Sequence, residues 1–88
     1  MMKQYEKTIR ANMASAEKDM RKPEDRRGFV IGAVLKIWQE RQDGHIAKPQ
    51  FDRLITILSE FSSGEYKDFI KEQVDAYEGG NPPTIIGY

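Results

Sequence analysis

The chain of 88 residues contains no cysteine and a single histidine. Without cysteine there is no disulfide framework, no zinc–thiolate cluster and no thiol nucleophile. A single histidine also excludes a metal site built from several imidazoles. A chain of this length forms one domain with a modest core, in which a deep active-site cleft is not expected.

Recognisable catalytic motifs are missing as well. Ser62 and Ser63 have no histidine at a suitable spacing and no glycine elbow around them. His45 follows Gly44 in a predicted turn, where a capping or solvent-exposed role is expected. No glycine-rich loop is present that would hold a phosphate. The sequence therefore predicts a protein that is not an enzyme, with no cofactor, no metal and no small-molecule substrate.

Long apolar runs are also absent. The first ten residues, MMKQYEKTIR, include four charged side chains, whereas a secretion signal needs an uninterrupted apolar segment. The longest strongly apolar run, residues 29–35, is far shorter than the ~20 residues that span a bilayer. We expect a cytoplasmic protein that does not contact a membrane.

Apolar residues recur at helical spacing in four segments, and no segment alternates with the period of a strand. Pro23 and Pro49 are expected in the first turns of two helices, because the N1 position needs no backbone N–H. Gly44 is expected as a left-handed cap, and Ser63 as the N-cap of the last helix. The sequence predicts an all-α fold, a compact bundle of about four helices over residues 3–21, 24–42, 49–61 and 64–78, with an extended tail.

The second predicted helix is apolar on nearly every side. From Gly28 to Trp38 it reads GFVIGAVLKIW, a pattern typical of a central, buried helix. Gly28 and Gly32 lie one turn apart on the same face. Since each glycine costs a helix about 1 kcal/mol of propensity, we expect another helix to approach closely there.

Large apolar side chains are concentrated between Phe29 and Tyr77. The first helix carries only a thin apolar stripe, formed by Tyr5, Ile9, Met13, Ala16 and Met20. We therefore divide the chain into three parts. Residues 1–22 form a basic, methionine-containing arm or accessory layer, residues 23–80 the helical core, and residues 81–88 the extended tail.

The formal net charge is zero, but the charges are segregated along the sequence. Residues 1–27 carry eight basic and five acidic side chains, whereas residues 59–88 carry two and six. One interpretation is that the two ends lie near each other with solvated charges. The other is that one end steers a charged partner.

These features favour a small non-catalytic protein that binds another protein as a regulator, inhibitor or assembly factor, and that also binds a second copy of itself as a homodimer. Methionine suits adaptable surfaces, and tryptophan and tyrosine often anchor interfaces. Each such residue can equally belong to an ordinary packing stripe or core edge. The candidate partner-binding residues are Met13, Met20, Trp38, Tyr66, Tyr77, Ile85, Ile86 and Tyr88.

An alternative is a nucleic-acid-binding module. A helix-turn-helix arrangement would use the last helix for recognition, but residues 64–78 carry a net charge of −3, which phosphates repel. Any contact with nucleic acid would instead use the basic junction between the first two helices, where acidic residues also occur. Its candidate residues are Lys18, Arg21, Lys22, Arg26 and Arg27.

Overall fold

The computed structural model describes residues 2–80, with side chains from residue 4 onward. Its described part is all-α, which confirms the predicted fold class. No helix in this part is both long enough and apolar enough to cross a membrane. The predicted tail, residues 81–88, lies outside the described residues. The elements are α1 (Met2–Asp19), α2 (Pro23–Gln42), α3 (Lys48–Leu58), a short 3-10 helix (Phe61–Gly64) and α4 (Lys67–Glu78).

The ends of α2 and the start of α3 follow the local sequence. Pro23 is the first residue of α2, as predicted, and acidic residues in the first turn favour the positive end of the helix dipole. Gly44 adopts a φ of 81° just after α2, which confirms the left-handed cap. Helix α3 begins at Lys48, one residue before Pro49, and the Gln50 side chain accepts a hydrogen bond from the Ala47 N–H at 2.7 Å.

The predicted boundary between α3 and α4 is wrong. Helix α3 ends at Leu58, and α4 begins at Lys67 rather than near residue 64, so Ser63 is not its N-cap. Ser62, Ser63 and Gly64 have consecutive φ values of 53°, 58° and 83°. The chain turns sharply here while the Phe61 side chain is completely buried, and continuous helical backbone cannot adopt these φ values.

The core lies where α2, α3 and α4 meet, and each fully buried aliphatic or aromatic side chain there contributes about 1.5–3 kcal/mol. Helix α1 packs mainly against α3 and adds Met13 and Ala16, which are 7% and 3% exposed. The division of the chain into arm, core and tail stays a prediction. The largest fully buried side chains are Phe51, Phe61, Leu54, Ile57, Leu58, Ile70, Val30 and Val34.

A network around Arg26, which we call the Arg26 clasp, joins α1, α2 and the 3-10 helix. The guanidinium donates to the Met20 carbonyl at 2.6 Å, to the Glu17 carbonyl at 3.0 Å and to Ser62 Oγ at 2.7 Å. The Ser62 N–H donates in turn to Glu17 Oε1 at 2.8 Å. Since the last carbonyls of a helix lack partners within it, Arg26 both caps α1 and fixes its C-terminal end.

Candidate functional site

An open groove of about 730 Å³ runs between α1 and α2. Its floor is apolar and includes Ile37, Leu54 and Leu58, which are all buried. The half-buried side chains of Tyr5, Ile9, Phe29 and Ala33 form its walls. Its rims are the exposed lining residues, namely Gln4, Thr8 and Asn12 on α1 and Gly28, Gly32 and Lys36 on α2.

Gly28 and Gly32 face open space. Among the described residues, a Cβ atom built on either glycine would have no other atom within 4 Å, apart from its chain neighbours and its own helix backbone. The prediction that another helix approaches closely there is therefore wrong for the described residues. The physical reason is that α1 packs mainly against α3 and much less against α2.

A polar cluster closes one end of the groove around Glu40. His45 Nδ1 lies 2.7 Å from Glu40 Oε2, the Tyr5 hydroxyl donates to the same oxygen at 2.9 Å, and Lys36 Nζ lies 3.2 Å from Oε1. The Glu40 side chain is 14% exposed. These three contacts, led by the one from His45, lower the pKa of Glu40 from 4.5 to about 2.

The same cluster links three parts of the chain. Because the Tyr5 hydroxyl donates to the carboxylate, the pKa of Tyr5 is raised. Tyr5 belongs to α1, Glu40 to α2, and His45 to the loop before α3. Sequence analysis missed this cluster because Tyr5 and Glu40 are 35 residues apart and form no local motif.

Trp38 and Tyr77 lie away from the groove and pack α4 against α2. Their rings stack with centroids 5.3 Å apart, and Trp38 also contacts Phe51 edge to face. The Arg41 guanidinium covers the rings of Trp38 and Phe51 and pairs with Glu78 at 3.0 Å. This arrangement fits the core-edge interpretation of Trp38 and Tyr77.

Tyr77 is 6% exposed, which leaves little of it for a partner to contact. Its hydroxyl is buried and has no hydrogen-bond partner within the part of the chain that the structure describes. Burial raises the pKa of the Tyr77 hydroxyl, because the charged phenolate is poorly solvated there.

The remaining candidates for protein binding do not form one surface. Met13 is buried, which fits an ordinary packing stripe, and Met20 is half-buried. Tyr66 is half-buried, and its hydroxyl donates to the Pro23 carbonyl at 3.5 Å. Ile85, Ile86 and Tyr88 lie outside the described residues. Of the candidates predicted from the sequence that lie within the described residues, none lines the groove.

The basic junction is split by the fold. Lys18, Arg21 and Lys22 are exposed, but Arg26 uses its guanidinium within the clasp. Arg27 is exposed, and its guanidinium lies 4.5 Å from the centre of the Phe69 ring. Arg26 therefore has a structural role. This weakens the nucleic-acid hypothesis, because Arg26 is one of the five residues predicted to contact nucleic acid.

Across residues 2–80, no group of three or more His, Cys, Asp or Glu side chains is placed to hold a metal ion. Chemically, the groove offers an apolar floor, rims that carry one charged residue, Lys36, and one shielded carboxylate, Glu40. In comparisons with known proteins, no protein-family model matches this chain, and no curated protein or solved structure is significantly similar to it.

Proposed function

We propose that this chain is a small non-catalytic helical protein that binds another protein as a regulator, inhibitor or assembly factor. Its docking site is the α1–α2 groove, and the partner contributes one amphipathic helix. The observation that supports the proposal is the groove itself, with its apolar floor and a glycine rim that no other described element covers. Helix-in-groove docking is a common mode of recognition between proteins.

The spacing of the rim residues favours a helix as the occupant. Gln4, Thr8 and Asn12 follow one another at steps of four along α1, and Gly28, Gly32 and Lys36 do the same along α2. Side chains at this spacing form the ridges of helix packing, and the two glycines leave a gap in the ridge of α2 into which a third helix can pack. Because a glycine has no side chain, the backbone of the partner helix can come close to α2.

Charge complementarity defines the chemistry of the partner helix. Among the described residues that line the groove, Lys36 and Glu40 are the charged ones. Glu40 is shielded by three contacts, whereas the Lys36 side chain is 72% exposed. The partner helix therefore presents an apolar face to the groove and an acidic side chain at the edge that meets Lys36. Such a rim charge mainly fixes orientation and association rate.

Site-specific photocrosslinking in the native cell tests this proposal. A photoreactive amino acid replaces Thr8 in one variant and Gly32 in another, on opposite rims of the groove. The matched control replaces Lys71, which is exposed on α4. We expect one protein to crosslink at both rim positions and not at residue 71. Mass spectrometry of the crosslinked peptide is expected to locate an amphipathic helix in that protein.

Three results would contradict the proposal. Equal crosslinking from the rim and from residue 71 would indicate nonspecific contact. Crosslinks that join two copies of this chain at the rim would assign the groove to a homodimer. Finally, a shift of duplex DNA or RNA at low salt, lost on neutralising Lys18, Arg21, Lys22 and Arg27 but unaffected by changes in the groove, would favour the nucleic-acid alternative.

A further inference from the structure

We infer that the outer side of α2 and α4 binds a second copy of this chain, so that the protein is a homodimer. The apolar side chains on this side are half-buried, namely Ile31 and Leu35 on α2 and Phe69 and Ala76 on α4. We call this surface the α2–α4 face. None of its four apolar residues lines the α1–α2 groove, so the two surfaces are distinct.

Helices α2 and α4 run side by side in the same direction. At their starts, the hydroxyl of Tyr66 donates to the Pro23 carbonyl at 3.5 Å. Near their ends, the rings of Tyr77 and Trp38 stack with centroids 5.3 Å apart. Residues of the two helices are therefore matched in height along the whole α2–α4 face.

Arg27 and Phe69 mark one end of this face, where the guanidinium lies 4.5 Å from the centre of the ring. From there Ile31 and Leu35 follow Arg27 at steps of four, and Ala76 follows Phe69 at a step of seven. Side chains at these spacings stay on one side of a helix. The half-buried apolar residues therefore form a strip along both helices.

Charged side chains beside this strip have no ionic partner within a single copy. Asp68, Glu72 and Asp75 follow one another at steps of four and three along α4, and all three are exposed. Within residues 2–80, neither these carboxylates nor Arg27 form an ion pair. The α2–α4 face therefore carries unpaired charge of both signs, basic on α2 and acidic on α4.

Charge complementarity identifies a second copy as the occupant and fixes its orientation. A two-fold axis parallel to the helices places α2 of each copy on α4 of the other without changing the height of any residue. Arg27 of each copy then meets Asp68 and Glu72 of the other, and the apolar strips cover each other. An axis perpendicular to the helices would instead bring the two acidic rows together, where they repel. The contact is isologous and closes at two copies.

The dimer leaves both grooves open, because the groove and the α2–α4 face lie on different sides of α2. Each dimer therefore presents two grooves. A target that carries two amphipathic helices would bind it more tightly than a single copy, through the higher effective concentration of the second helix. This consequence rests on the proposed function, but the dimer itself does not.

Sedimentation equilibrium of charge-reversed variants of the full chain tests the dimer. Arg27→Glu, and separately the double change Asp68→Arg with Glu72→Arg, puts like charges at both contacts. Each should raise the dissociation constant of the dimer by about 100-fold. An equimolar mixture of the two variants should form dimers again, because both contacts of the mixed dimer join opposite charges. Salt at about 1 M should weaken the wild-type dimer, since the Debye length is then about 3 Å.

Lys71→Glu is the matched control. It changes the net charge by the same amount as Arg27→Glu, and Lys71 is exposed but lies about 160° around α4 from Phe69. Its dimer should be as stable as that of the wild type, and circular dichroism checks that every variant stays helical. A wild type that is monomeric near millimolar concentration, a mixture that stays monomeric, or equal weakening by Lys71→Glu would overturn the inference. The crosslinking outcome at the groove would stand independently.

Discussion

The two long sides of α2 differ sharply. On the side that faces α3 and α4, Val30 and Val34 are 0% exposed. On the side that borders the α1–α2 groove, Gly28 and Gly32 are exposed and face open space. We call these the closed side and the open side. The contrast shows that a helix with apolar residues on nearly every side can pack into the core on one side and form the wall of an open groove on the other.

Helix α1 spans the open side because other elements hold it there. The Arg26 clasp fixes its C-terminal end, the contact between Tyr5 and Glu40 fixes its N-terminal end, and α3 supports its middle. The groove therefore keeps its shape without direct packing of α1 on Gly28 and Gly32. A preformed groove loses less conformational entropy on binding than one that must be assembled.

The largest expected difference between the two sides is in the cost of removing a side chain. Ile70 on α4 is 1% exposed, so Ile70→Ala should lower the free energy of unfolding by about 2–5 kcal/mol. Ile9 is half-buried beside the groove, and Ile9→Ala should cost under about 1.5 kcal/mol. Urea denaturation followed by circular dichroism measures both values. Equal losses would show that the open side is packed as tightly as the core.

The Arg26 clasp gives the next largest effect. Arg26→Gln removes two hydrogen bonds to carbonyls at the C-terminal end of α1 and one to Ser62 of the 3-10 helix. It should lower the free energy of unfolding by about 2 kcal/mol. Arg27→Gln is the matched control, because Arg27 is exposed and its guanidinium lies over the Phe69 ring. Its cost should stay below about 1 kcal/mol. If both variants are equally stable, the clasp does not hold α1.

Substitution of glycine by alanine should have opposite signs at two positions. Gly32 is helical and has free space around it, so Gly32→Ala should raise the free energy of unfolding by about 1 kcal/mol. Gly44 has a φ of 81°, and Gly44→Ala should lower it by about 1 kcal/mol. Thermal unfolding of the two variants compares them directly. A destabilised Gly32→Ala variant would mean that residue 32 is not open.

The smallest effect on the free energy of unfolding should appear only at acidic pH. Because the folded state holds the pKa of Glu40 at about 2 instead of 4.5, the stability from its contacts is fully present above pH 4.5. It is lost as the pH falls from about 4.5 to about 2. The stability difference between the wild type and Glu40→Gln should shrink over that window. Urea midpoints at several pH values measure it, and a constant difference would contradict the assignment.

Tyr5→Phe refines the same comparison. This change removes one of the three contacts that lower the pKa of Glu40. The loss of stability in acid should therefore still begin near pH 4.5 but should be smaller and end at a higher pH than in the wild type. An unchanged acid profile would show that the Tyr5 hydroxyl does not contribute to the end of the groove.

The sequence predicted the four helices because each has a local cause. Apolar spacing, Pro23 and the left-handed Gly44 are enough to place α2. The prediction failed at the start of α4, where burial of one side chain determines the backbone conformation. Full burial of Phe61 is accompanied by three left-handed residues where a helix start was expected, and no local pattern indicates that outcome.

The groove was not predictable for a different reason. Gly28 and Gly32 were recognised as unusual, but their spacing does not tell a close contact from an open surface. Whether the glycines are covered or open depends on the position of α1. Arg26 and Glu40 determine that position through contacts with distant parts of the chain. The candidate residues chosen by type, such as Trp38 and Tyr77, instead close the edge of the core.

The position of Trp38 has a consequence for how the protein unfolds. It is the single tryptophan of the chain, and its rings contact Phe51 and Tyr77 while Arg41 lies over it. Its fluorescence therefore reports the junction of α2, α3 and α4, whereas far-ultraviolet circular dichroism averages over all the helices. If α1 detaches before the rest, the two signals will change at different denaturant concentrations, and local opening of the groove becomes visible as a separate cooperative unit.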